Sequence, residues 1–313
     1  MIDKTGKAVE LKKEKQSRIA TPRLFIFLML LLPTLNWLIW WLYVNISTFA
    51  LAFQNNGKWD LINFEQLFAQ LTNRVGDDNV GIALINTCKY FGVNLFVCFP
   101  LCVIVSYFFS QRIYGYKGFR VIFFLPVIVS GVTMTTAYSA FLSPLGPLGA
   151  IFKEMGVEYT QSFLDRVDTA TSAVLVYTVW TGLSTNVILI SSAMTRIPYE
   201  VLEAACLEGC GPIRKLFSII LPMIWSTLST LLVFILTGIF NATGPILLFF
   251  PDGERQTSTL AFWIFKQVYG TGTVGGTGDY GLVSCAGLCF TLVGVPLILG
   301  IRKLFDKIPV VEY

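Results

Sequence analysis

The sequence predicts an all-α membrane protein with about six transmembrane helices, and three observations carry that prediction. Hydrophobic residues make up 54% of the chain and charged residues only 13%, where an ordinary soluble domain carries about 25% charged; mean hydropathy is +0.67. The apolar residues gather into runs long enough to cross a bilayer, which takes about 20 residues of helix. Between those runs the basic residues collect in alternate loops, the asymmetry that sets orientation.

The expected spans are 24–44, 91–109, 121–141, 173–194, 219–240 and 282–301. Pro33, Pro100, Pro126, Pro222 and Pro296 fall in or near them; neighbouring helices of a bundle re-satisfy the backbone groups that proline frees. Lys4, Lys7, Lys12, Lys13, Lys15, Arg18 and Arg23 precede the first span. Arg112, Lys117 and Arg120 follow the second, Arg196, Arg214 and Lys215 the fourth, and Arg302, Lys303 and Lys307 the sixth. Both termini and the connection between the fourth and fifth spans are therefore expected in the cytoplasm. The first apolar run is too long for a signal-peptide core and no small-residue cleavage site follows it. The expected organisation is a basic cytoplasmic segment 1–23, a single transmembrane domain 24–308 and a short tail 309–313.

Three longer connections are expected on the opposite face. Residues 45–80 contain an amphipathic patch at Phe64, Leu67 and Phe68, suited to the membrane interface. Residues 143–168 open with SPLGPLG, a turn-rich entry to a short helix. Residues 242–280 hold an apolar run at 260–265 and then GTGTVGGTGDYG. Gly270, Gly272 and Gly275 of that run spell GxGxxG, but they follow no buried strand and open no helix, so the run reads as a flexible external loop rather than a nucleotide site.

The chemistry available is narrow. There is no His, which removes the commonest metal ligand and neutral-pH base. Cys98/Cys102, Cys206/Cys210 and Cys285/Cys289 share helix faces at i,i+4; without His or carboxylate clusters they read as small residues that let helices approach closely, and no metal is expected. No GxxxxGK[ST] is present, so ATP and Mg²⁺ belong to another chain if they are used. No cofactor, catalytic residue or nucleic-acid partner is expected. A secondary transporter needs membrane-buried acidic or basic groups for ion coupling, and the central spans have almost none.

The most informative stretch is EAACLEGCGPIRKLFSIILP, 203–222, a charged, Ala- and Gly-containing loop between two apolar segments. Residues 199–207 are good helix formers, with Leu202, Ala205 and Cys206 on one side offered to a partner's groove. Gly209, Gly211 and Pro212 supply the break, because glycine tolerates turn dihedrals and proline stops a helix.

This loop resembles the EAA coupling loop of permease subunits from bacterial ABC importers, in which Glu-Ala-Ala is followed by an acidic residue, Gly, and Ile-x-Leu-Pro. Glu203, Ala204, Ala205, Gly209, Ile219, Leu221 and Pro222 fall in register; Glu208 replaces the usual Asp and Cys210 a usual Ala. GYKGFRVIFFLP (115–126), SPLGPLGAIF, VWTGL (179–183), Phe240-Asn241 and DYGLVSCAG (279–287) are similar to segments of the carbohydrate-uptake, maltose-type group. The external run Phe249-Phe250-Pro251-Asp252-Gly253 departs from a Thr-Gly-Gly-Pro-like pattern there. The resemblance implies the type I ABC importer permease fold, and Glu203, Ala204, Ala205, Glu208, Gly209, Leu221 and Pro222 as the ATPase-coupling residues. It also implies a second permease subunit, two ATPase subunits carrying ATP and Mg²⁺, and an extracellular solute-binding protein. The setting is the bacterial cell membrane with its lipid, and the cargo a carbohydrate, with another small solute such as a phosphorylated polyol or an amino acid as the alternative.

Candidate sugar contacts are the polar side chains of the later spans, since a polar group in a span favours the bundle interior. The fourth span carries a stripe at i+3 and i+4 spacing. Alignment on its W-x-G element points to Thr178, Trp180, Thr181, Gly182 and Thr185, with Asn186 beside them. Tyr138 in the third span and Thr237 and Asn241 in the fifth complete the set. A competing reading is that these hydroxyls bond their own helix carbonyls or join helices.

Overall fold

A computed structural model describes residues 22–55, 57–72, 79–111, 113–241, 245–250, 256–270 and 279–307. The basic segment 1–21, most of the glycine-rich run 271–278 and the tail 308–313 lie outside the described residues. The chain divides into two compact units, Met1–Ala50 and Leu51–Tyr313.

The first unit is dominated by one apolar helix. α1 (Pro22–Asn36) continues through a π-helical stretch, Trp37–Tyr43, into α2 (Val44–Ala52). The wide turn follows Pro33, which removes one ladder donor and crowds the preceding turn; Trp37 and Trp41 stack within it at 5.0 Å.

In the second unit a two-residue hairpin, β1 (Gln54–Asn55) with β2 (Lys58–Trp59), leads into α3 (Ile62–Thr72). α4 (Val80–Val93), a π-helical stretch Asn94–Cys98 and α5 (Phe99–Ser110) form one helix of 31 residues. Next come α6 (Tyr116–Ile128), α7 (Gly131–Leu142) and α8 (Pro147–Glu154), and then the 28-residue α9 (Val167–Met194). α10 (Tyr199–Leu207) and α11 (Pro212–Lys215) are followed by a third π-helical stretch, Leu216–Ile220. α12 (Leu221–Met223), α13 (Trp225–Asn241), α14 (Ile246–Phe249), α15 (Leu260–Tyr269) and α16 (Tyr280–Phe305) complete the described elements.

Among the described residues four helices are long and apolar enough to cross a membrane: Phe25–Ala52, Val80–Ser110, Val167–Met194 and Tyr280–Phe305. Counting each of two bent pairs as one span gives six. The third expected span, 121–141, is one of those pairs and is not straight. Pro126 leaves a ladder bond unmade, Val129 and Ser130 take extended backbone, and the chain turns by 111° between α6 and α7. The fifth, expected from 219, is the other bent pair. The chain bends by 79° at Ile224, leaving α13 about 26 Å long at 1.5 Å per residue. The second starts at Val80 rather than 91.

The patch at Phe64, Leu67 and Phe68 packs mostly on the bundle. Leu67 of α3 is buried in a cluster with Val80 and Ala83 of α4, Trp263 of α15 and Leu282 of α16; only Phe68 faces outward. Asn63 anchors this helix by donating to the carbonyls of Ala52 and Gln54.

Helices in lipid gain little from the hydrophobic effect against one another, so close packing and interhelical hydrogen bonds must hold them. The core supplies both. Ser106 of α5 donates to the Val187 carbonyl of α9 at 3.3 Å, and Ser184 of α9 donates to the Phe123 carbonyl of α6. Cys98 and Cys102 are buried against α9 with sulfurs 3.9 Å apart.

Candidate functional site

Two features of the second unit are positioned for function: a capped helix between α9 and α13, and a cavity between α4, α9 and α13.

The capped helix is α10. Its C-terminus closes in a Schellman motif: the amide of Gly209 bonds the Cys206 carbonyl at 3.0 Å and the amide of Cys210 bonds the Ala205 carbonyl at 2.9 Å. That motif needs a left-handed residue after the cap, and Gly209 has φ +72°. The start of α11, just past the turn, is tied to the bundle from α5, where the Tyr107 hydroxyl donates to the Pro212 carbonyl at 3.1 Å. Lys215, buried at 8% exposure, brings its Nζ to 3.4 Å from the Cys206 sulfur.

The face carrying Leu202 and Ala205 is turned partly to the bundle, although Leu202 and Cys206 also line the groove beside α10. Ala205 is buried and Leu202 packs on the cluster formed by α5, α9 and the 216–231 region. Cys206, read as part of that face, is exposed. The outward side carries Tyr199 and Leu207, at 69% and 89% exposure, with Glu203, Ala204 and Glu208 also exposed. Tyr199, Glu203 and Leu207 border a groove of about 910 Å³ that reaches Gln111 and Thr195 at the ends of α5 and α9. Leu221 and Pro222 are half-buried just ahead of the 79° bend.

The cavity has a volume of about 390 Å³, within the range of small-molecule sites, about 300–1,000 Å³. Thr185 and Asn186 of α9 line it, so the polar stripe meets the cavity at its C-terminal end. Thr178 and Thr181 do not line it; their hydroxyls donate to the Val174 and Tyr177 carbonyls of their own helix, at 2.8 and 3.1 Å. Gly182 is a close-packing position. A Cβ there would stand 3.2 Å from the Cys98 sulfur, so glycine lets α9 approach the wide turn at 94–98. Trp180 is half-buried and meets Tyr177 edge-on at 6.2 Å. Tyr138 donates to the Ala173 carbonyl at 2.9 Å and packs with Tyr177 and Phe249 in an aromatic cluster. Thr237 bonds the Phe234 carbonyl of its own helix, and the side chain of Asn241 lies outside the described residues.

Sequence reading missed the wall supplied by α4 and the π-helical stretch after it: Thr87, Tyr90 and Asn94. Thr87 is satisfied, donating to the Ala83 carbonyl and accepting from the Leu260 amide. The buried Tyr90 hydroxyl has no hydrogen-bond partner. The signal was present in the spacing 87, 90, 91, 94, which is one helix face.

With this geometry in hand, comparison with known proteins is direct. The family model described as binding-protein-dependent transport system inner membrane component matches residues 83–308. A probable ABC transporter permease of Mycoplasma pneumoniae is 31% identical over 211 residues, 64% of this chain and 63% of that protein; the chain thus spans slightly less than two thirds of that relative. The sn-glycerol-3-phosphate transport system permease of Pectobacterium atrosepticum is 26% identical over 253 residues, covering 80% and 81% of the two chains. Among solved structures, a chain of a bacterial ABC transporter involved in import of the acidic polysaccharide alginate superposes with TM-score 0.76 at 21% identity, covering 92% of this chain and 97% of that one. A chain of a bacterial alginate ABC transporter in complex with an alginate pentasaccharide-bound periplasmic protein gives 0.75 at 21% identity over 91% and 95% of the two chains. The fold is the type I ABC importer permease fold expected from the sequence, in a multi-pass membrane protein. Because the matched region runs from the polar face of α4 past the end of α16, and takes in the cavity and the capped helix alike, the chain belongs to the binding-protein-dependent transport system inner membrane components.

Proposed function

We propose that this chain is one permease subunit of an ATP-driven importer that carries a sugar or oligosaccharide across the bacterial cell membrane by alternating access. The observation that carries this reading is α10: a short helix, capped at Gly209 and held between apolar segments, whose Tyr199, Glu203 and Leu207 stay exposed among the described residues. Such a helix suits docking on a motor. Two ATPase subunits, carrying ATP and Mg²⁺, dock on this side, and Glu203, Ala204, Ala205, Glu208, Gly209, Leu221 and Pro222 pass their movement to the spans. A second permease supplies the other half of the pathway and an extracellular binding protein delivers the cargo. The alginate transporter with its saccharide-loaded periplasmic protein supports the carbohydrate class. A phosphorylated polyol is the second reading, favoured by the glycerol-3-phosphate permease relative.

Reconstitution with the partner permease, the ATPase pair and the binding protein tests this. ATP-dependent uptake of saccharide into proteoliposomes is expected, and uptake by this chain without ATPase would overturn the reading. Within that assembly Asn186→Leu, which removes a polar group from the cavity, is expected to lower uptake about tenfold, the scale of one hydrogen bond of about 1.4 kcal/mol. Thr181→Val, whose hydroxyl serves its own helix, is expected to change it little. Equal effects of the two would remove the cavity from the pathway.

Orientation is tested at Cys206, which is exposed. A membrane-impermeant maleimide is expected to label it in inside-out vesicles and not in intact spheroplasts, with the signal lost in Cys206→Ser. Labelling only from outside would reverse the assignment of both termini and of α10 to the cytoplasm.

A further inference from the structure

Among the described residues Cys88 and Cys206 are the exposed cysteines, and Cys206 is the one whose sulfur accepts from a cation. The Lys215 Nζ lies 3.4 Å from it, and both residues line the groove beside α10. Lys215 is 8% exposed, yet the Cys206 sulfur is the one side-chain partner of its ammonium among the described residues. A buried ammonium is ordinarily paired with a carboxylate, whereas a thiol is a weak acceptor and leaves the ammonium donors to spare. A nucleophilic atom and an under-satisfied proton donor therefore share one wall of an open groove.

Thiols react with peroxides where they are accessible and where a neighbouring cation stabilises the attacking sulfur's charge. Hydrogen peroxide suits this pair, being small, uncharged and in need of a proton for the oxygen that leaves. The Cys206 sulfur attacks one peroxide oxygen, so that the S–O bond forms as the O–O bond breaks. The departing hydroxide takes a proton from the Lys215 ammonium, which recovers one as the thiol's own proton is released. Thiol and peroxide give sulfenic acid and water; sulfur yields the electron pair that the peroxide accepts.

Position gives the chemistry a consequence. Cys206 stands in the last turn of α10 and Lys215 ends α11, so their contact clasps the two helices across the turn at Gly209. An oxygen added to the sulfur respaces that clasp. We propose that Cys206 is a site of reversible oxidation by peroxide, with Lys215 as the proton donor, and that the sulfenic acid weakens coupling. The effect on coupling rests on the role proposed above for α10; the thiol chemistry does not.

The test treats the full complex in proteoliposomes with hydrogen peroxide. One portion contains dimedone, which traps sulfenic acid, and the adduct is located by peptide mass spectrometry. The other is assayed for ATP hydrolysis before and after dithiothreitol. An adduct at Cys206 ahead of Cys88 is expected, with hydrolysis falling severalfold and recovering on reduction. In Cys206→Ser, peroxide is expected to leave hydrolysis at that variant's own untreated level, which separates this site from thiols on partner subunits. Lys215→Met is expected to slow the adduct about tenfold, the loss of a neighbouring cation, and Lys215→Arg to retain most of the wild-type rate. No adduct at Cys206, equal rates at Cys88 and Cys206, or a wild-type rate in Lys215→Met would overturn the proposal. Should Lys215→Met fail to fold, the preference for Cys206 over Cys88 and the Cys206→Ser comparison decide. An adduct with undiminished hydrolysis would overturn the claim that oxidation weakens coupling. Failure of the α10 reading itself shows differently, as full ATP-driven uptake by Gly209→Pro, and would leave the thiol chemistry in place.

Discussion

Gly209→Pro is expected to abolish ATP-driven uptake while leaving the protein inserted and its spans intact. Gly209 sits at φ +72°, and proline is held near −65°, so the Schellman closure of α10 cannot form. The substitution also removes the amide that bonds the Cys206 carbonyl. A clash of this kind costs about 3 kcal/mol or more. The damage is confined to a turn outside the core, and it redirects α10 relative to α11, the link through which a motor docked on α10 would push on the proposed route. Gly209→Ala separates geometry from bulk. Nothing lies within 4 Å of a Cβ at this position, so alanine meets only the left-handed penalty of roughly 1–2 kcal/mol and uptake is expected to fall partially. Uptake in proteoliposomes, beside size-exclusion and proteolysis profiles, checks both. Full uptake by the proline variant would show that coupling does not pass through this turn.

Asn86→Leu is expected to be the more destabilising change to the folded protein. The Asn86 side-chain amide donates to the carbonyls of Gln256 and Ser258, at 2.8 and 3.1 Å. This joins α4 to the segment that enters α15, and Thr87 accepts from Leu260 beside it. Asn86, Thr257, Ser258 and Thr259 are all buried. Leucine removes both bonds and leaves the buried Ser258 carbonyl without its donor, at about 1–3 kcal/mol. A fall of several degrees in the melting temperature of detergent-purified protein is expected, with faster proteolysis between residues 250 and 260. Asn86→Asp, which cannot donate when ionised, should fall at least as far. Wild-type melting in both variants would exclude the amide as an anchor.

The parts legible from sequence were those where one local signal coincides with one structural need. The long helices followed from apolar runs, and Gly209 from the turn dihedral that only glycine adopts cheaply. The breaks in the third and fifth spans were hidden because hydropathy runs on through Val129 and Ile224, and a bend in the backbone does not change apolar content. The start of α4 was hidden for the opposite reason: Asn86, Thr87 and Lys89 lower the local hydropathy, although two of them are buried by contacts with residues about 170 positions away in sequence. The polar stripe of α9 was found, but its pattern alone did not separate Thr178 and Thr181, satisfied within their own helix, from Thr185 and Asn186. That distinction depends on where α13 and α4 stand, which is tertiary information.

The wide turns in the helices have a mechanical meaning. Residues 94–98 separate Tyr90 from Tyr107, and residues 216–220 separate the elbow at Gly209 from α13, so two of the chain's paths between the groove beside α10 and the cavity cross a stretch already wound one residue loose, while α9 joins them as unbroken helix. Converting such a stretch to ordinary helix swivels everything beyond it by about 100°, turning a small push at one end into a rotation of the cleft wall at the other.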